Sequence, residues 1–121
     1  WSYLYDFLQI VQDVVSTFGR LDILVNNAAG NFSSTAEDIT SNGFRTVIDI
    51  DLMGCFHMSK AAFEPLKAAG NGLILNTTAT IHYKATPFQM HASAAKAAID
   101  KVTNVVSRSR LAVLVAWPGE C

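Results

Sequence analysis

Leu4, Phe7, Leu8, Val11, Val14, Val15 and Phe18 recur at intervals of three and four residues near the start of the chain. That spacing puts them on one stripe of an amphipathic helix, and Gly19 is its natural C-terminal stop. Residues 21–25 (Leu-Asp-Ile-Leu-Val) then read as a short strand. Thr40, Ser41 and Asn42 offer N-cap chemistry for a long helix over 43–69, in which Pro65 should kink or mark the last turns. Gly70-Asn71-Gly72 is a turn, residues 73–77 form a second apolar strand, and an Ala-rich helix follows over about 88–107. Residues 111–116 read as a third strand, ended by Pro118-Gly119. The chain shows no repeats, no low-complexity segment and no internal linker.

Strands alternating with helices require crossover connections. The fold class is therefore α/β, a parallel, doubly wound, Rossmann-like sheet with ligands at the carboxyl ends of its strands. The segments after the first two strands, 26–32 and 76–83, should share that edge. Half of the 121 residues are hydrophobic and the formal net charge is −1, as expected for a soluble globular core. No basic excess points to nucleic acid, and no apolar run approaches the ~20 residues of a membrane span. Cys55 and Cys121 have neither a CxxC nor a metal-ligand spacing, and Cys55 lies in an apolar helical stretch, which favours a reduced thiol over a disulfide. The histidines lack ligand spacing too, so no metal site is expected.

Four segments carry a resemblance. They are Asn26-Asn27-Ala28-Ala29-Gly30-Asn31-Phe32, the run from Phe44 to Asp51, Thr78-Ala79-Thr80, and His91 through Ile99. In this order they resemble the short-chain dehydrogenase/reductase family, most closely its peroxisomal 2,4-dienoyl-CoA reductase branch. The family carries an NNAG turn, a serine after the next strand and a Tyr-x-x-x-Lys helix. Here Ala79 stands at the serine position and Ala92 at the tyrosine position, while Lys96 is kept.

The resemblance implies NADPH as cofactor, with Asn26, Ala28, Ala29 and Gly30 against its adenosine half. It implies that Lys96 binds the nicotinamide-ribose hydroxyls, and that Phe32, Ser41 and Asn42 contact an acyl-CoA substrate. It also implies a peroxisomal setting and a homo-oligomer built through helices 43–69 and 88–107. Asp51 stands where most of the family has asparagine, and the branch is similar in carrying aspartate there. With serine and tyrosine gone, Asp51 is the candidate acid, and Lys96 its catalytic partner. Burial favours a protonated carboxyl and a neighbouring ammonium an ionised one, so the residues leave its state open. On an α-helix Asp49 is turned roughly 200° from Asp51 by ~100° per residue.

Other readings stay open from the residues alone. Tyr83 is a candidate displaced acid for a reductase of ketone or enoyl substrates. His91 is out of phase with Ala92 and Lys96 and reads as a packing or loop-bonding residue; His82 is a tempting but weaker acid or base. No glycine-rich dinucleotide loop occurs, so these residues offer no helix N-terminus for a pyrophosphate. The stretch over 107–121 reads as a truncated, spliced or frame-shifted end. The expectation is a single incomplete domain over 1–121, inactive by itself, with a non-catalytic isoform pairing with full-length subunits as a further alternative. On this view the 121 residues alone should show no saturable NADPH binding in a nucleotide-fluorescence titration.

Overall fold

The structure, a computed structural model, describes residues 2–84, 86–107 and 112–116. Helix α1 spans Ser2–Phe18 and ends as its glycine requires. Gly19 adopts φ +81°, and its N–H returns to the Val15 carbonyl at 2.8 Å. Strand β1 is Ile23–Asn26, starting two residues later than its apolar run.

The long helix is present but not uniform. Helix α2 covers Ser41–Val47, a π-helical turn covers Ile48–Met53, and helix α3 covers Gly54–Ala68. Of the three cap candidates, Thr40 serves: its Oγ1 accepts the Gly43 N–H at 3.0 Å. Pro65 sits in the last turn, where its carbonyl receives the Ala69 N–H, and so marks the helix end. Strand β2 is Leu73–Thr77, a single 3-10 turn covers Thr80–His82, helix α4 is Met90–Val106, and strand β3 is Ala112–Ala116.

The three strands form one parallel sheet in the order β1-β2-β3, with Ile23 beside Leu73 and Leu73 beside Ala112. Pleating then sorts the side chains. Leu24, Ile74 and Val113 point to the face covered by helices, where Val11 of α1 and Ala61, Ala62 and Leu66 of α3 complete the core, with Val106 of α4 against it. Ile23, Val25 and Leu114 point to the other face, and each is more than half exposed. Phe18, counted in the apolar stripe of α1, is 75% exposed and takes no part in the core. Among the described residues no helix is long and apolar enough to cross a membrane.

The turn between α3 and β2 is tight. A Cβ on Gly72 would lie 2.3 Å from the Leu66 carbonyl oxygen, which is backbone and cannot swing aside. Gly72→Ala should therefore destabilise the fold by about 2 kcal/mol or more, the scale of forced overpacking. Urea denaturation would read this as a lower midpoint, and an unchanged midpoint would show that the turn is not fixed as described.

Candidate active site

The π-helical turn decides where the acids point. Its backbone closes on a five-residue step, with the Gly54 N–H returning to the Asp49 carbonyl. Such wide turns are rare and occur mostly as single insertions at functional positions. Here the turn directs Asp51 inward, leaving it 3% exposed. The expected opposition of Asp49 and Asp51 is kept in their burial, Asp49 being exposed where Asp51 is buried. Both residues line one cavity of about 700 Å3, Asp49 at the exposed rim and Asp51 in the wall.

Asp51 has a partner on each oxygen. Oδ1 accepts the Gly30 N–H at 2.7 Å, and Oδ2 lies 3.1 Å from Lys96 Nζ. The Lys96 side chain is itself only 11% exposed and donates a further, long contact of 3.5 Å to the Thr77 carbonyl. A charge this deep is tolerated only when paired and hydrogen-bonded. The sequence brings the set together through three elements: the turn after β1, the π-helical turn, and the middle of α4.

The floor of the cavity is held by a polar ladder across the strand ends. Asn26 Nδ2 donates to Ser59 Oγ at 2.9 Å and to Asn76 Oδ1 at 2.8 Å. Asn76 Nδ2 in turn donates to Thr103 Oγ1, and the Thr103 hydroxyl donates to the Ile99 carbonyl. Cys55 Sγ, 3.3 Å from Asn76 Oδ1, joins the same group. Burial pushes the Cys55 thiol above its ordinary range, opposed by the Ser59 hydroxyl and the Lys96 charge. Thr103 escaped sequence reasoning, as did the part that Asn76 and Cys55 play in this ladder. Strand alternation could have found Asn76, because counting two from Ile74 puts it on the helix-facing side.

Of the residues expected to meet cofactor, Asn26, Ala28 and Lys96 line the cavity; Ala29 is exposed and Gly30 sits at Asp51. The residues expected to meet substrate stand elsewhere. Phe32 stacks on His91 with ring centroids 4.4 Å apart, Ser41 lines a separate shallow groove with Phe44 and Arg45, and Asn42 is exposed in the first turn of α2. Tyr83 is 66% exposed, its hydroxyl bonds Asp100 at 3.1 Å, and it does not line the cavity. The bond to Asp100 raises the Tyr83 pKa above the ordinary phenol value. A tyrosine so placed is a poor substitute acid, which corrects the expectation that it could replace the missing one. Ala92, at the vacated tyrosine position, is 2% exposed.

The short chain dehydrogenase family model matches residues 5–115, and the chain belongs to that family. The match runs past Arg108 into β3, further than the sequence motifs reached. The chain is 50% identical over 106 residues to a peroxisomal 2,4-dienoyl-CoA reductase of Arabidopsis thaliana, covering 81% of this chain and 36% of that protein. It is 45% identical to the protein of the same name from Danio rerio, covering 79% of this chain and 32% of that protein. The chain thus spans about a third of the length of these relatives. A solved short chain dehydrogenase from Bacillus anthracis superposes with a TM-score of 0.82 at 38% identity, over 88% of this chain and 46% of that one.

Two outcomes follow from the site's electrostatics. Lys96→Met should cost about 3–5 kcal/mol in urea unfolding, because it strands a buried carboxylate, and adding Asp51→Asn should return much of that loss. Equal destabilisation by the single and double variants would show the pair to be uncoupled. The raised thiol makes Cys55 slow to alkylate in the folded chain at pH 8. Because its folded pKa lies above the unfolded value, its contribution is full below the ordinary thiol value and is lost as pH rises from there through the raised folded value. Labelling as fast as in the urea-unfolded chain would contradict this.

Proposed function

We propose that these residues belong to an NADPH-dependent reductase of 2,4-dienoyl-CoA thioesters, acting in fatty-acid β-oxidation within peroxisomes. The observation that carries the reading is the buried Asp51–Lys96 pair beside a serine position and a tyrosine position both filled by alanine. The names of the Arabidopsis and zebrafish relatives support the substrate class and the compartment. The reaction is proposed for a protein of the relatives' full length carrying this segment, and not for the 121 residues alone, which we read as one part of a single nucleotide-binding domain.

The cavity fits the implied cofactor in chemistry and size. It has a buried ammonium group in its wall, carbonyl and amide groups from two strand ends, and a volume within the range of small-ligand sites. Asn26, Ala28, Ala29, Gly30 and Lys96 would hold the nucleotide. The Asn26 side chain is already committed to Ser59 and Asn76, so its part is to fix the turn that the nucleotide rests on. When bound, NADPH supplies hydride to the far carbon of the diene.

The chain's own residues supply the rest. Hydride addition drives electron density through the conjugated bonds to the thioester oxygen, forming a dienolate that needs one proton at its α-carbon. Asp51 is the acid for that step, either by giving its own proton or by holding the water that does. Lys96 Nζ, 3.1 Å from Oδ2, offers a path for refilling it and restrains the carboxyl orientation. The Gly30 N–H fixes the other oxygen. No alkoxide forms at a reacting carbonyl, so a tyrosine at position 92 is unnecessary. Phe32, Ser41 and Asn42 are read as the acyl-CoA contacts. The outward sides of α3 and α4, where Phe56 and Val105 are exposed, are read as the contact between subunits.

In the full-length protein Asp51→Ala should lower turnover of a 2,4-dienoyl-CoA by roughly 10²–10⁴, the usual worth of a general acid, with little change in NADPH binding. Asp51→Asn should be as impaired if the carboxyl proton is used, and nearly silent if the residue only holds water. Near-normal turnover in Asp51→Ala would refute the assignment. A preference for a β-ketoacyl-CoA would move the reaction to another substrate class.

A further inference from the structure

The loop between β1 and α2 is fastened at three places. At one end the Gly30 N–H binds Asp51, and at the other the Ser34 N–H donates to the Phe88 carbonyl at 3.2 Å. Between them the fastening is His91, which is fully buried at the start of α4. Its Nε2 lies 2.8 Å from the Phe32 carbonyl and 3.1 Å from Asn31 Oδ1. A carbonyl can only accept, so Nε2 carries the proton and donates to both.

The Asn31 amide is held in the matching orientation. Its Oδ1 also accepts the Phe32 N–H at 2.8 Å, while its Nδ2 donates to Gln89. The Phe32 ring lies against the imidazole at an interplanar angle of 22°. The tip of the same ring reaches Gly43, where an added Cβ would come within 2.9 Å of Phe32 Cζ. Phe32 thus rests on the histidine ring with its tip at Gly43 and its carbonyl tied to the same histidine, while 41% of it stays open to solvent.

We infer that His91 is a positioning residue that sets Phe32 for the acyl-CoA thioester, an inference that rests on the reading of Phe32 as a substrate contact. The donor is the buried partner in this bond, and an apolar residue at position 91 would remove the tie between α4 and the Phe32 carbonyl. Because Gly30 and Ser34 hold the loop ends independently, loss of the His91 donor frees Asn31 and Phe32 without releasing Asp51. The effect therefore falls on substrate affinity and spares the chemical step.

The test uses the full-length protein with NADPH and 2,4-hexadienoyl-CoA. His91→Phe keeps an aromatic ring without the donor, and His91→Gln keeps a donor without the ring. His91→Phe should raise KM for the thioester about tenfold, the scale of one lost pocket contact, with kcat and the NADPH dissociation constant within about twofold. His91→Gln should return most of that KM. In a background of Phe32→Ala, His91→Phe should add nothing further, as expected for residues acting as one unit. A fall in kcat at constant KM, equal KM values in the two His91 variants, or an additive double variant overturns the inference.

If His91→Phe does not fold, Asn31→Ala carries the question from the exposed side of the clamp. A raised KM supports the inference and an unchanged one overturns it. An unchanged KM in Phe32→Ala sinks the substrate reading of Phe32, and with it the role proposed for His91. The clamp is then judged separately by the fluorine resonance of 4-fluoro-Phe32, which Asn31→Ala should move towards its unfolded position.

Discussion

A carboxylate buried to 3% exposure sets the terms for everything around it. Asp51 needs partners in the dry wall of the cavity, and they come from parts of the chain far apart in sequence. Gly30 supplies a backbone N–H from the turn after β1, and Lys96 an ammonium from the middle of α4. Each partner in turn constrains its own element. The turn must pass close enough to the helix for a backbone donor to reach, with Gly30 so tight against Ile50 that a Cβ would meet it at 3.0 Å. Helix α4 must lie across the strand ends, where small residues such as Ala92 and Ala95, both buried, allow close approach. The π-helical turn belongs to the same constraint, since it gives Asp51 its inward direction while Asp49 stays at the rim.

Beneath that pair, the asparagine ladder performs a related task without charge. Asn26 and Asn76 are register partners at the ends of adjacent parallel strands, and each stands where strand alternation would place an apolar residue. Their amides are satisfied through Ser59 on α3 and Thr103 on α4. A sheet end capped this way is fixed against both flanking helices, and a one-residue slip would leave several buried amide groups unanswered. The cavity floor is therefore rigid for polar reasons, while the core below it around Leu66 and Ile74 is rigid through packing.

Much of this was legible in the sequence, for reasons that can be named. Helix α1 announced itself by its spacing and by Gly19, because a left-handed stop is a local property. The parallel arrangement followed from alternation of strand and helix, and the shared edge of the two functional turns followed from that. The pairing of Asp51 with Lys96 was anticipated because both fall in recognisable segments. Other features depend on neighbours no local pattern reveals. The π-helical turn has no cue in Ile48-Asp49-Ile50-Asp51, where the sequence reads as one continuous helix. Thr40 rather than Ser41 or Asn42 caps α2, a choice made by backbone geometry at ψ 152°. Phe18 completes the stripe on paper yet lies past the edge of the core. Tyr83 looked available until its hydroxyl was found on Asp100.

The parallel register also governs how the chain can acquire this shape. Asn26 and Asn76 are 50 residues apart, so β1 and β2 can close only once the helical segment between them has been made. At roughly 5–20 residues per second on the ribosome, β1 emerges several seconds before its partner exists. Through that interval the amide of Asn26 has no Asn76 to meet. Local helix formation is fast on this scale and long-range strand pairing is slow. The ladder that makes the cavity floor rigid therefore joins parts of the chain made seconds apart, and its amides are answered only once Thr103 of α4 has followed Asn76.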